Sequence, residues 1–158
     1  MLNTHTVLNN LKAHNIILPT PAKAVANYVG YHITGSTLIV SGQLPVKEGV
    51  VHYSGVLGDN VDIDTGYAAA RLCAVNILAQ VHQALSGDWS RLKMCVRLGG
   101  FVAATPDFKD HPKVINGASD LMVAILGDAG RHARAAVGVA SLPLGVCVEV
   151  EGLFEIAL

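Results

Sequence analysis

Hydrophobic and polar positions repeat with two periods along this chain, and the two periods place its elements. Val7, Leu8 and Leu11 recur at helical spacing within residues 4–16, with Thr4 placed to cap a short N-terminal helix and Pro19 and Pro21 to end it. Asn27 to Thr34 and Thr37 to Ser41 read as strands joined by Gly35-Ser36, and the second ends at Gly42-Gln43-Leu44-Pro45. Residues 46–60 read as a loop spotted with Gly49, Gly55 and Gly58.

Asp64 to Leu85 carries the clearest helical pattern. Ala74, Leu78, Val81 and Leu85 share one face, Asp62 or Asp64 can cap the start, and Gly87 ends it. Leu92 to Ala104 reads as a long strand with a bulge or close approach at Gly99-Gly100. Pro112 suits the first turn of a further helix, with Val114, Ala118, Leu121 and Ile125 on its apolar face and Gly127 as its stop. Two alternating segments, about 133–140 and 146–156, complete the order ββαβαββ after the leading helix. That order predicts an α+β fold, a mixed or antiparallel sheet with both long helices on one face. The chain reads as one domain over 1–158, with 1–20 as an N-terminal helical extension.

Alternation sorts the side chains of the last two strands. Arg134, Ala136, Gly138 and Ala140 share one face, and Ala135, Val137 and Val139 the other. Val146, Val148 and Val150 share a face opposite Cys147, Glu149 and Glu151. If the two strands form a hairpin about Pro143, Glu149 lies across from Val137 rather than from Arg134.

Composition narrows the function classes. Hydrophobic residues make up 51% and charged residues 15%, so part of the apolar surface is expected to be covered by other subunits. A net charge of −1 and 5% aromatic residues argue against nucleic acid as the main partner. Cys73, Cys95 and Cys147 form no CxxC pair, and no leader or long apolar run stands out, which points to reduced, buried thiols, no membrane span and a cytoplasmic protein. The seven histidines show no metal-ligand spacing, and no glycine-rich phosphate loop follows a strand.

Against so few charges, Arg134 and Glu149 are the candidate chemistry. A guanidinium offers a planar fork to a carboxylate, and a glutamate can hold or deprotonate water; a surface salt bridge would use the same two residues. His132, two residues before Arg134, can serve as a tuning group or simply as a polar strand-start residue. Ser41 lacks a nucleophile-elbow context, so a hydrogen-bonding role is preferred.

Three segments carry a resemblance: Ala26-Asn27-Tyr28-Val29-Gly30 followed by Ile39-Val40-Ser41-Gly42-Gln43-Leu44-Pro45-Val46, the Arg134 strand with Ser141-Leu142-Pro143, and Val148-Glu149-Val150-Glu151. Together they resemble the YjgF, or Rid, family of reactive intermediate deaminases. The resemblance implies a chorismate-mutase-like fold of the bacillus type, a homotrimer with ligand sites between subunits, and hydrolysis of enamines or imines such as 2-aminoacrylate to 2-keto acids and ammonia. It further implies a 2-iminobutanoate/2-iminopropanoate deaminase-like hydrolase that uses no cofactor and no metal.

By that resemblance Arg134 grips the substrate carboxylate, Glu149 orients water, Tyr28 closes the pocket, Ser41 and Gly42 line it, and Asn116 belongs near the second long helix. Ala136 stands where a cysteine is common, so only its backbone N–H can reach a ligand. Asn27 and His132 stand where prolines are usual. The N-terminal helix and the 46–60 loop mark a longer branch. A non-enzymatic trimer that binds or senses a small carboxylate is the alternative reading, and the endoribonuclease label carried by some members is a third.

Overall fold

In the computed structural model, residues 2–21 and 26–158 are described. The first helix, α1, spans Thr4–Ala13 and is shorter than expected. Its cap is Asn3, whose side chain accepts from the His5 N–H at 2.8 Å, not Thr4. Asparagine is the stronger capping residue, and the Thr4 hydroxyl donates instead to Asp88 Oδ1. Val7 and Leu11 are buried, and the Asn10 amide donates to the Ile125 carbonyl at 2.9 Å, fastening α1 to the rest of the fold.

Strands β1 (Tyr31–Thr34) and β2 (Thr37–Gln43) pair antiparallel about Gly35, whose φ of 53° suits the turn. The expected first strand was too long, because residues 26–30 run irregularly beside β2 instead of pairing in the ladder. The 46–60 loop contains a small hairpin, β3 (Val46–Lys47) and β4 (Val50–Val51), turning through Glu48 and Gly49, both at positive φ. The Asn76 amide donates to the carbonyls of Leu44 and Val46, so this loop is tied to a helix.

Helix α2 spans Ile63–Ala84, capped by Asp62. Helix α3 spans His111–Leu126, with Pro112 in its first turn and Gly127 after it. The two cross where a Cβ on Gly117 would strike the Tyr67 carbonyl, a close approach that only glycine permits. Strands β5 (Leu92–Ala103), β6 (Ala133–Val139) and β7 (Val148–Ile156) complete a five-stranded sheet in the order β1-β2-β7-β5-β6. Among the described strands of this sheet only the β5–β6 pair is parallel, as the α3 crossover between them requires.

The fold is therefore mixed α+β, with ββαβαββ order, as the periodicities predicted. The order within the sheet corrects one expectation: β6 and β7 form no hairpin, because β5 lies between them. The chain from Ser141 to Cys147 carries β7 over the end of β5, and Ala103 N–H donates to the Cys147 carbonyl on the way. Cys147 sits in a bend and is fully buried, so it does not share Glu149's face.

One sheet face is dry. Leu38, Val40, Leu98, Val102, Val148, Val150 and Phe154 pack there in one cluster with α2 and α3 residues such as Ile77, Leu78, Ile115 and Leu121. Among the described residues, no element of the protomer packs over the other face. Ile39, Met94 and Val137 stand there 42%, 44% and 46% exposed, far more than isolated core-type side chains on a sheet require.

Candidate functional site

The seven residues singled out from the sequence fall into two groups. The first gathers at β6, on the edge of the sheet, and under α3. Arg134 Nη1 donates to Asn116 Oδ1 at 2.8 Å and to Ser119 Oγ at 3.0 Å. Both acceptors project from α3, so the arginine points to the helix-covered side of the sheet. Ala136 follows on the same face. Farther along, the expected gap above the small residues is filled: a Cβ on Gly138 would overlap the His111 imidazole. The His132 ring closes the group, with Nε2 at 3.0 Å from Ser119 Oγ and Nδ1 at 2.6 Å from the Gly130 carbonyl.

Ser119 was missing from the sequence reading. The signal was available, since Asn116 and Ser119 are three residues apart and share a helix face. Without the register of α3 over β6, nothing distinguished that face from any other.

The second group lies on the opposite side of the sheet. Between the β2–β7 pairs Val40↔Gly152 and Gln43↔Val150, β2 contains one extra residue, a bulge at Ser41-Gly42. The Ser41 hydroxyl donates to the Val29 carbonyl at 2.6 Å and its N–H to the Gly30 carbonyl at 3.0 Å, which anchors the exposed Tyr28 segment beside the bulge. The Gln43 amide donates to the Ser41 carbonyl at 2.9 Å. Gly42 lies against the Glu149 carboxylate, which fills the space a Cβ would take. Glu149 is half-buried, and this burial, with a smaller push from the Glu151 charge, holds its carboxyl above the usual glutamate range. Glu151 faces Gly99 and accepts from Arg97 Nη1 at 3.3 Å.

Register shows how far apart the groups are. Arg134 pairs with Leu98, and Glu149 pairs with Phe101. Leu98 and Phe101 are an odd number of residues apart on one regular stretch of β5, so their partners project to opposite faces. Within a protomer, the guanidinium and the Glu149 carboxylate cannot meet across one ligand. Each half instead opens at a different surface, Arg134 at the β6 edge and Glu149 on the uncovered face.

Among the described residues, no three of His, Cys, Asp and Glu assemble as a set able to hold a metal ion. No described helix is long and apolar enough to cross a membrane.

Comparison with known proteins finds relatives of the chain as a whole. The family described as "YjgF/chorismate mutase-like, putative endoribonuclease" matches residues 9–155. Protein TCP17 of Trypanosoma cruzi is 45% identical over 151 residues, 95% of this chain and 94% of that protein. The crystal structure of Atu1372 from Agrobacterium tumefaciens superposes with a TM-score of 0.92 at 47% identity, over 98% of this chain and 94% of that one. The YjgF gene product of E. coli superposes with a TM-score of 0.63 at 25% identity, over 86% and 93% of the two chains. Coverage of 98% leaves no room to omit a ten-residue helix, so α1 is part of the likeness to Atu1372.

Proposed function

The chain belongs to the YjgF/chorismate mutase-like family, and from that premise we propose that it hydrolyses small carboxylate-bearing imines and enamines to 2-keto acids and ammonia, at sites shared between the subunits of a homotrimer. One observation carries this reading. The two halves of the site are each well built, yet they face opposite sides of one sheet. A second copy, placing its uncovered face against the β6 edge of the first, brings a Glu149 to an Arg134. The exposed Ile39, Met94 and Val137 supply the apolar area for that contact.

Arg134 then neutralises the substrate carboxylate and sets its orientation, while Tyr28, Ser41 and Gly42 of the neighbouring copy bound the pocket. Burial makes Glu149 a stronger base than an exposed glutamate. It takes a proton from water as the water oxygen attacks the imine carbon. Glu149 returns this proton to the nitrogen, and the carbinolamine hydroxyl proton passes to that nitrogen through solvent as the C=O forms; the C–N bond breaks, and ammonia leaves the 2-keto acid. Most of the rate advantage comes from positioning and charge complementarity. The test is release of ammonia and pyruvate from freshly generated 2-iminopropanoate. An Arg134→Ala protein as active as the parent would sink the assignment.

Ala136 favours a second reading, a trimer that binds or senses a small carboxylate without turnover, because no side-chain donor or nucleophile stands beside the clamp at that position. Saturable binding of 2-oxobutyrate with no hydrolysis of any imine would select it. The family description also names endoribonuclease activity. A net charge of −1 argues against RNA as the main partner.

A further inference from the structure

Arg134 is not held by Asn116 alone. The Gly130 carbonyl can only accept, so in the neutral His132 ring the proton sits on Nδ1 and donates to it at 2.6 Å. Nε2 is then an acceptor, and the Ser119 hydroxyl donates to it at 3.0 Å. With its proton so committed, Ser119 Oγ turns a lone pair to Arg134 Nη1 and accepts at 3.0 Å. With the ring neutral, every link has one possible direction. Both ends of the chain are also fixed to α3: Ser119 belongs to it, and Gly130 lies against the Met122 carbonyl with no room for a Cβ.

Asn116 and Ser119 together occupy both hydrogens of Nη1. Nη1 is the terminal nitrogen on the Cδ side of a guanidinium. The opposite edge, Nε–H beside Nη2–H, has no hydrogen-bond partner among the described residues. That edge offers two parallel donors matched to a carboxylate.

We infer that Ser119 and His132 are positioning residues for the clamp: the Gly130–His132–Ser119 relay locks Arg134 by Nη1, so that a carboxylate is received side-on by Nε and Nη2. The inference rests on the carboxylate-clamp reading above and assigns the relay no part in bond breaking. It gives His132 a purpose that its place at the start of β6 alone did not. Without an acceptor at His132, the Ser119 hydroxyl is free to rotate and the guanidinium loses one of its two anchors. Hydrogen bonds in such a chain polarise one another, so losing either member weakens the rest.

The experiment uses the full chain and its Ser119→Ala, His132→Ala, double Ala and Ser119→Thr forms. KM and kcat for 2-iminopropanoate are measured together with the Kd of pyruvate, and ring 15N spectra report the His132 tautomer. Each single Ala change is expected to raise KM and Kd about 10-fold, the scale of one hydrogen bond to a charged group, with kcat nearly unchanged. The double form should be little worse than either single, because both break one chain. Ser119→Thr keeps the hydroxyl and should stay close to the parent. The parent should show His132 protonated on Nδ1. An Nε2–H tautomer in the parent, or Ala forms with unaltered KM and Kd, would overturn the relay. A parent that shows the Nδ1–H tautomer but neither turns over the imine nor binds pyruvate would overturn the proposed function and leave the relay as a structural lock.

Discussion

Gly42 lies against Glu149 so closely that a Cβ on the glycine would overlap the carboxylate. The overlapping atom is the far end of a flexible side chain, not backbone, so an alanine is accommodated by moving the glutamate. Gly42→Ala is therefore expected to keep the fold while displacing the proposed base. Turnover of 2-iminopropanoate should fall about 100-fold, the scale of a 1 Å misplacement. Thermal unfolding should change little. A fully active Gly42→Ala protein would show that Glu149's position does not matter.

Burial raises the Glu149 pKa, with the Glu151 charge adding to it. Activity that needs the carboxylate should therefore fall as pH drops through a value above that of an ordinary glutamate, and kcat/KM against pH reads this directly. The stability consequence has the opposite sense. A raised folded-state pKa contributes stability that is complete below the unfolded glutamate value and lost as pH rises through the folded value. Glu149→Gln should thus raise the thermal midpoint relative to the parent at neutral pH, and the difference should vanish in acid. An equal difference at both pH values would contradict the burial effect.

Two halves of a site on opposite faces make a test by mixing. Arg134→Ala retains Glu149, and Glu149→Gln retains Arg134; each alone should be inactive. Co-refolded in equal amounts, they should regain about one quarter of parental activity, since each site needs one intact partner of each kind. A mixture as inactive as its components would place both residues in one protomer's site or in none. Val137→Asp, which puts a charge on the uncovered face, should reduce the assembly to monomers on a sizing column and remove activity in parallel.

The three cysteines should be silent in the native protein. Burial pushes Cys95 up to about 12 and Cys147 up to about 11, and drives Cys73 well above its ordinary value. A thiol reagent at pH 8 should label none of them quickly, and all three once denaturant is added. Rapid labelling of any one in the native state would reveal local opening at that position.

Much of this molecule could be read from local pattern. The faces of α2 and α3 were legible because burial on a helix repeats every three or four residues, and Ala74, Leu78, Val114 and Leu121 kept that spacing. Boundaries were less legible. Asn3 and Thr4 can both cap a helix; Asn3 takes the role, and the Thr4 hydroxyl bonds Asp88, which is distant in sequence. The Tyr28 segment has strand-like composition, yet Ser41 holds it outside the ladder through the Val29 and Gly30 carbonyls.

The Arg134 strand marks the boundary between the two kinds of information. Alternation along one strand is a local steric property of extended backbone, so the sequence by itself determined that Arg134 shares a face with Ala136, and Glu149 with Glu151. Which face of one strand matches which face of another depends on pairing between distant segments. Only the tertiary structure decided that β5 lies between β6 and β7, that Leu98 and Phe101 carry the two residues to opposite sides, and that Ser119 and His132 meet under the arginine. Those contacts arise from packing α3 over the sheet, a free energy spread over many side chains and visible in no single stretch of sequence.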